Sequence, residues 1–253
     1  VADSVPGLNT AGKFPTATMS FFDRILTFNS SRVRLLEENS AFAKCVPSGA
    51  MVLDAGAGEC PYWHLFAHAK YESADIQAGG SMHGKKHTYD CDLNNIPVED
   101  GRFEFVLFNQ VMLYMEPVPV LKELNRVLKL NGKVLYTGPL FYEDLGQYDM
   151  FRFTQYGLRQ FFASAGFEIE RLDWLEGYFG TVGYQLNCMA RYLPWNPDVF
   201  GSQFLGLFLM PLMLVLKLAS AAGSVFFHKL EICLKYKGAG YPKNYVVVAR
   251  KVR

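Results

Sequence analysis

Residues 52–61, Val-Leu-Asp-Ala-Gly-Ala-Gly-Glu-Cys-Pro, constrain the fold more than any other stretch, because a hydrophobic run breaks there at an acidic residue into a Gly-x-Gly turn. A break of this kind ends a buried strand and opens a nucleotide pocket in an α/β domain. Gly56 and Gly58 have no Cβ, so the backbone can bend sharply and approach a ligand closely, while Asp54, with Ala55 after it, brings a carboxylate into the same crevice. A dinucleotide fold needs a third glycine at position 61 to seat a pyrophosphate on the following helix N-terminus, and that position is Pro61. Cys60 and Pro61 suit a ligand that carries no phosphate.

Strand and helix signals alternate beyond the turn. Tyr71 to Ile76 reads as a second strand ending in Asp75, and His87 to Leu93 as a third ending near Asp92. Phe103 to Phe108 is an apolar run with one Glu, as expected of a strand buried on both faces, and Val134 to Thr137 reads as the fifth. Tyr62 to His68 and Pro117 to Leu130 read as helices, the second with Pro near its start and Asn131-Gly132 just past its end. Thr154 is placed to cap a helix carrying Leu158, Phe161 and Phe162, which Gly166 ends. Phe167 to Leu172 and Tyr245 to Val252 are the last two strands. This order predicts a doubly wound, mostly parallel sheet with helices on both faces and ligands at the carboxyl ends of the strands. The expected domains are an N-terminal helical lid over 1–45, a core over 46–175 and 243–253, and an insertion over 176–242.

A chain of 253 residues suits one α/β domain with such an insertion. The net charge of +1 gives no basic surface for a phosphate backbone, so no nucleic-acid partner is expected. Cys45, Cys60, Cys91, Cys188 and Cys233 are scattered without a Cys-x-x-Cys pair and read as reduced intracellular thiols. The first residues lack the basic and apolar regions of a secretory signal, and a start at Val1 reads as trimmed. His64 and His68 are spaced i, i+4 and His83 and His87 flank a Gly-Lys-Lys loop, but neither pair has an evident third ligand, and no metal is expected.

The insertion holds the densest apolar stretch, Phe204 to Phe227, with Lys217 as its single charge. Its length meets the ~20 residues a bilayer span requires. Pro211 inside the run and Lys217 near its middle, where a charge costs roughly 2.5–3.5 kcal/mol, count against a span. A helix in the membrane interface, or a broken hairpin dipping into one leaflet, fits better, with Lys229, Lys235 and Lys237 meeting anionic headgroups. A buried or dimerising helix pair is the competing reading. The expected location is the cytoplasm, at the inner face of the cell membrane.

Five segments taken in order, Val-Leu-Asp-Ala-Gly-Ala-Gly-Glu, Ala-Asp-Ile, Asp-Leu-Asn-Asn-Ile-Pro, Phe-Glu-Phe-Val-Leu-Phe-Asn-Gln-Val and Leu-Lys-Glu-Leu-Asn-Arg-Val-Leu-Lys-Leu-Asn-Gly-Lys-Val, resemble the class I S-adenosylmethionine-dependent methyltransferases of the small-molecule branch. The resemblance spans about 50–174 and the terminal strand, and implies a Rossmann-like seven-stranded sheet whose last strand is antiparallel. It implies S-adenosylmethionine as cofactor, an adenosine with an amino-acid tail and a sulfonium. Asp75 and Ile76, at the end of the second strand, would hold the ribose hydroxyls; Asp92 and Leu93 would hold the adenine. Asn109 and Gln110, after the fourth strand, would lie near the methionine moiety. Loop capping is the alternative role for Asp75 and Asp92.

A further segment, Tyr148-Asp149-Met150-Phe151-Arg152-Phe153-Thr154 with Tyr156-Gly157-Leu158, resembles members associated with bacterial surface-polysaccharide and lipid-linked glycan genes. Those relatives carry a His and a Pro where this chain has Asp144 and Gln147. The implied reaction is methyl transfer to a small-molecule or lipid-linked glycan acceptor. Because the displacement quenches the sulfonium's charge as the bond forms, positioning matters more than a strong base. If a hydroxyl is methylated, Asp149, Glu143, Tyr142 and Asp144 are the candidates to take its proton. Asp149 and Arg152 can instead form an ion pair that positions the loop. A catalytically inactive membrane scaffold is the alternative function, and a nicotinamide-dependent oxidoreductase is disfavoured by Pro61 and the lack of a hydride-relay pair.

Overall fold

The computed structural model describes residues 29–76, 86–146 and 148–253. Most of the expected lid segment, together with His83 and Gln147, lies outside the described residues. Seven strands form one sheet in the order β3-β2-β1-β4-β5-β7-β6: β1 Met51–Ala55, β2 Lys70–Asp75, β3 Tyr89–Asp90, β4 Phe103–Asn109, β5 Leu128–Pro139, β6 Phe167–Trp174 and β7 Asn244–Lys251. Strands β1 to β5 pair in parallel, and β7 runs antiparallel to both β5 and β6. The chain order reverses between β1 and β4, so a crevice opens there at the carboxyl ends.

The strand period of two assigns each side chain a face. Val52, Leu107, Leu135 and Val246 pack with Phe42 and Ala43 of α1 (Ser30–Ala43) and with Phe66. Leu53, Phe108, Val134, Tyr136 and Val247 pack on the opposite face against Val120, Leu121 and Leu124 of α2 (Pro117–Val127) and Leu158 and Phe162 of α3 (Gln155–Ser164). Both faces of β1, β4 and β5 are therefore covered, which explains their near-continuous apolar sequence. Tyr136 bridges Phe108 and Phe162, with ring centroids 6.0 and 5.8 Å away.

Several boundaries differ from the sequence expectation. Helix α2 stops at Val127 because Leu128 turns extended to pair with Phe103, and β5 begins three residues before Asn131. The helix expected over Tyr62–His68 is a 3-10 turn, Trp63–Phe66, entered through Cys60 at φ 50° and Pro61. The third strand shortens to Tyr89–Asp90 at the sheet edge, because Asp92 closes a turn by accepting the Asn94 amide at 2.9 Å. Thr154 caps α3, its hydroxyl accepting from the Gly157 amide at 3.3 Å, and Gly166 follows at φ 85°.

The chain separates into two compact units, one of residues 30–182 and 229–253 that contains the whole sheet, the other of residues 183–228 with those before 30. Two further helices, α4 (Tyr178–Tyr192) and α5 (Gln203–Cys233), contribute to both. Within the second unit they lie antiparallel. Ser224 donates to the Gly183 carbonyl at 2.8 Å, a Cβ on Gly223 would stand 3.0 Å from Leu186, and Lys217 Nζ donates to the Arg191 and Leu193 carbonyls at 3.2 and 2.8 Å. The apolar segment is thus one uninterrupted helix rather than a broken hairpin, with Pro211 inside it. Proline forfeits one amide bond, whereas breaking the helix would leave a full set of end donors and acceptors without partners.

Candidate active site

The Gly turn after β1 is tied back onto β2. The amides of Gly56 and Ala57 donate to the Ala74 carbonyl at 2.8 and 3.3 Å, and the Gly58 amide donates to Asp75 Oδ2 at 2.7 Å. Gly56 stands at φ 73°, and a Cβ there would lie 2.4 Å from Val111 of the loop after β4, so only glycine fits. Gly58, at φ 50°, faces open space, with nothing within 4 Å of where a Cβ would sit. Asp75 Oδ1 accepts the Ile76 amide at 2.8 Å. The carboxylate is therefore locally anchored while its oxygens keep lone pairs for a ligand, and Ile76 is exposed beside it.

Asp54 is buried and accepts a 2.5 Å hydrogen bond from the Tyr71 hydroxyl. Burial, opposed by that hydrogen bond and reinforced by the charge of Asp75, pushes the Asp54 carboxyl up to about 7. Burial and Asp54 push the Tyr71 hydroxyl up as well, so it stays protonated as the donor. Asp92 Oδ1 accepts from both the backbone and side-chain amides of Asn94, and Leu93 is buried in the core. Asp54, Asp75 and Asp92 lie at the ends of three adjacent strands, an acidic rim that suits a cationic ligand with hydroxyl donors.

Asn109 and Gln110 divide two roles. The Asn109 amide is locked: Thr137 Oγ1 donates to its Oδ1 at 2.8 Å, and its Nδ2 donates to Asn39 Oδ1 of α1 at 3.0 Å. Gln110 sits at φ 59°, its backbone amide fixed to the Thr137 carbonyl at 2.8 Å, and its buried side-chain Nε2 has no partner. A buried donor without an acceptor is costly, and at the mouth of a crevice a ligand oxygen removes the cost.

The loop after β5 carries the candidate proton acceptors. Asp149 pairs with Arg152, with one oxygen 2.6 Å from its guanidinium, and also accepts the Leu145 amide at 3.0 Å. Arg152 holds the Asp149 carboxyl below its usual range, which weakens it as a base, and bonds the Glu143 carbonyl at 3.3 Å. Tyr142 presents its ring 5.1 Å from Lys243 Nζ, and Asp144 accepts the Gly146 amide at 2.9 Å.

Sequence reasoning did not single out Tyr71, Asn39 or Thr137, nor a buried polar cluster where β6 ends and β7 begins. In that cluster Glu176 accepts from Ser31 and Asn244 at 2.5 and 2.9 Å, while Lys243 donates to Ser31 at 2.9 Å. Asn39 carried a readable signal, a polar residue at the apolar spacing of Leu35 and Phe42. The others meet only across the sheet. Of the histidines, His68 Nε2 contacts the Val46 carbonyl and His87 Nδ1 contacts Ser73.

Residues 53–136 match a family model described as a methyltransferase domain. These residues form a methyltransferase domain. It runs from β1 through most of β5 and contains the Gly turn, Asp75, Asp92, Asn109 and Gln110. No curated protein matches the chain in sequence. Among solved structures, geranyl diphosphate methyltransferase in complex with S-adenosylmethionine superposes with a TM-score of 0.57 at 12% identity, covering 96% of this chain and 94% of that one. Geranyl diphosphate C-methyltransferase from Streptomyces coelicolor A3(2) gives 0.52 at 12% identity, covering 87% and 80%. A Galdieria sulphuraria protein described as a sarcosine dimethylglycine methyltransferase gives 0.50 at 16% identity, covering 87% and 85%. These likenesses establish the methyltransferase fold.

Proposed function

We infer that the chain is an S-adenosylmethionine-dependent methyltransferase that methylates a hydroxyl of a small-molecule or lipid-linked glycan acceptor at the inner face of a cell membrane. The observation that carries this reading is the meeting, at the carboxyl ends of β1, β2 and β4, of a glycine turn pinned to Asp75 and a buried, unpartnered amide on Gln110. The residues fit the cofactor. Open space beside Gly58 admits close backbone approach, Asp75 retains lone pairs for ribose hydroxyls, and Asp92 retains one for an adenine amino group. Bound there, S-adenosylmethionine supplies an electrophilic methyl group on a sulfonium.

The chain's own contribution is mainly positioning. Gln110 Nε2 donates to a ligand oxygen, and its geometry is held by the Asn39–Asn109–Thr137 chain beside it. Arg152 spends Asp149 on fixing the loop, which leaves Glu143 and Asp144 as the carboxylates available to accept a hydroxyl proton. Structural neighbours with geranyl diphosphate and sarcosine in their names show how little the fold restricts the acceptor. Support for a glycan acceptor comes from the Tyr148–Leu158 segment, and support for a membrane location from the apolar helix α5.

Calorimetric titration with S-adenosylmethionine, S-adenosylhomocysteine and NAD tests the cofactor. The expected result is micromolar binding of the first two, none of NAD, and loss of binding in Asp75→Ala. Transfer of a labelled methyl group to lipid-linked glycans, compared with water-soluble ones, then tests the acceptor. Failure to bind either adenosyl ligand would overturn the enzymatic reading.

A further inference from the structure

Helix α5 is polar on its covered side and apolar on its exposed side, the reverse of a helix folded in water. At about 100° per residue, Lys217, Ser220, Ser224 and His228 fall within about 80° of one another. Ser220, Ser224 and His228 are buried, and Lys217 and Ser224 bond carbonyls of Arg191, Leu193 and Gly183. Gly206 lies on the same side and abuts Pro197, so this side is covered along the length of the helix. Phe204 and Phe208, 89% and 81% exposed, begin the opposite surface, which continues through Leu207, Leu212, Val215, Leu218 and Phe226. These exposed residues sweep an arc of about 200° and run for roughly 33 Å. The most apolar window of 18 residues is only 11% buried.

We propose that α5 docks lengthwise on a lipid bilayer, lying in the plane of the interface with Phe204, Phe208, Val215 and Phe226 in the acyl region. This deepens the membrane-surface part of the proposed function and rests on it. Burial of polar groups beneath an apolar exterior indicates an apolar solvent. An arc of about 200° is also wider than the roughly 100° stripe that a single partner helix covers. A bilayer covers it in one step, and Lys229, exposed on the same side one residue past the unit, supplies a cation for anionic headgroups. Lying flat follows from the covered side. A spanning orientation would draw the irregular backbone around Asn196 and Asp198, held beside Gly206 through Pro197, into hydrocarbon. Lys217 no longer opposes docking, because two carbonyls accept its ammonium on the side facing away from the lipid.

The test uses the full-length protein, purified in detergent and mixed with vesicles of phosphatidylcholine and phosphatidylglycerol. It should float with the vesicles. The double variant Phe208→Glu, Val215→Glu should reduce the bound fraction about tenfold or more while circular dichroism and S-adenosylmethionine titration stay unchanged, and Phe208→Leu should float like the parent. A tryptophan placed at position 208 or at 226, its quenching taken as the difference from the parent, should be quenched equally by lipids brominated at a given acyl carbon. Unequal depths would overturn the flat orientation. A vesicle-free dimer that the Glu substitutions dissolve, with no flotation, would assign the surface to a second copy instead. Cofactor binding without flotation sinks the docking inference alone; flotation without cofactor binding leaves docking intact and sinks the methyltransferase reading.

Discussion

Gln110 and Asn109 are adjacent in sequence and opposite in role, which makes them separable by substitution. Gln110→Ala removes a side-chain donor with no protein partner, so we expect cofactor affinity to fall about tenfold, with folding stability unchanged, in calorimetry and urea unfolding. Asn109→Ala leaves Asn39 and Thr137 unpaired and should cost about 1–3 kcal/mol in urea unfolding. Asp54 gives a pH prediction. Its carboxyl titrates near 7 when folded and near 3.8 when unfolded, so between those values the native state holds a proton that the unfolded state has lost. Stability therefore falls as pH rises through that window and levels off above it. The contribution lost is of order 4 kcal/mol at most, and Asp54→Asn should flatten this part of the stability profile measured without cofactor.

At the scale of elements, turns and caps hold the strand ends in place. Gly56→Ala drives a methyl group into Val111 and forces a left-handed backbone on alanine, whereas Gly58→Ala incurs only the backbone strain. We expect roughly 2 kcal/mol or more for the first and about 1 kcal/mol for the second in urea unfolding. Thr154→Ala should cost about 1 kcal/mol through the lost cap of α3. Most element types were legible because their signals are local. The apolar run of β4 and the Thr154 cap with its following Gly166 depend on neighbours in sequence. Boundaries were less legible where pairing overrode propensity: Leu128 leaves α2 for β5 because Phe103 lies beside it, and no local signal carries that information.

For the whole molecule, the sheet and the candidate cofactor residues belong to one compact unit, so a proteolytic cut within residues 193–202 should leave S-adenosylmethionine titration unchanged. The sequence by itself determined the α/β order, the glycine turn, the acids at the strand ends and the apolar character of residues 204–227, because each is written in the spacing or composition of a short segment. Only tertiary structure decided that Asn109 is locked and Gln110 is not, since Asn39 and Thr137 lie far from them in sequence. It also tied Asp149 to Arg152, where sequence left that pairing open beside a proton-accepting role for Asp149. The same holds for α5: composition marks it as apolar, but which side is covered, and that the covered side is the polar one, depends on where α4 and Pro197 pack against it. Spacing along a chain fixes what a segment can form, and contact across the fold fixes which of its groups are left for a ligand or a membrane.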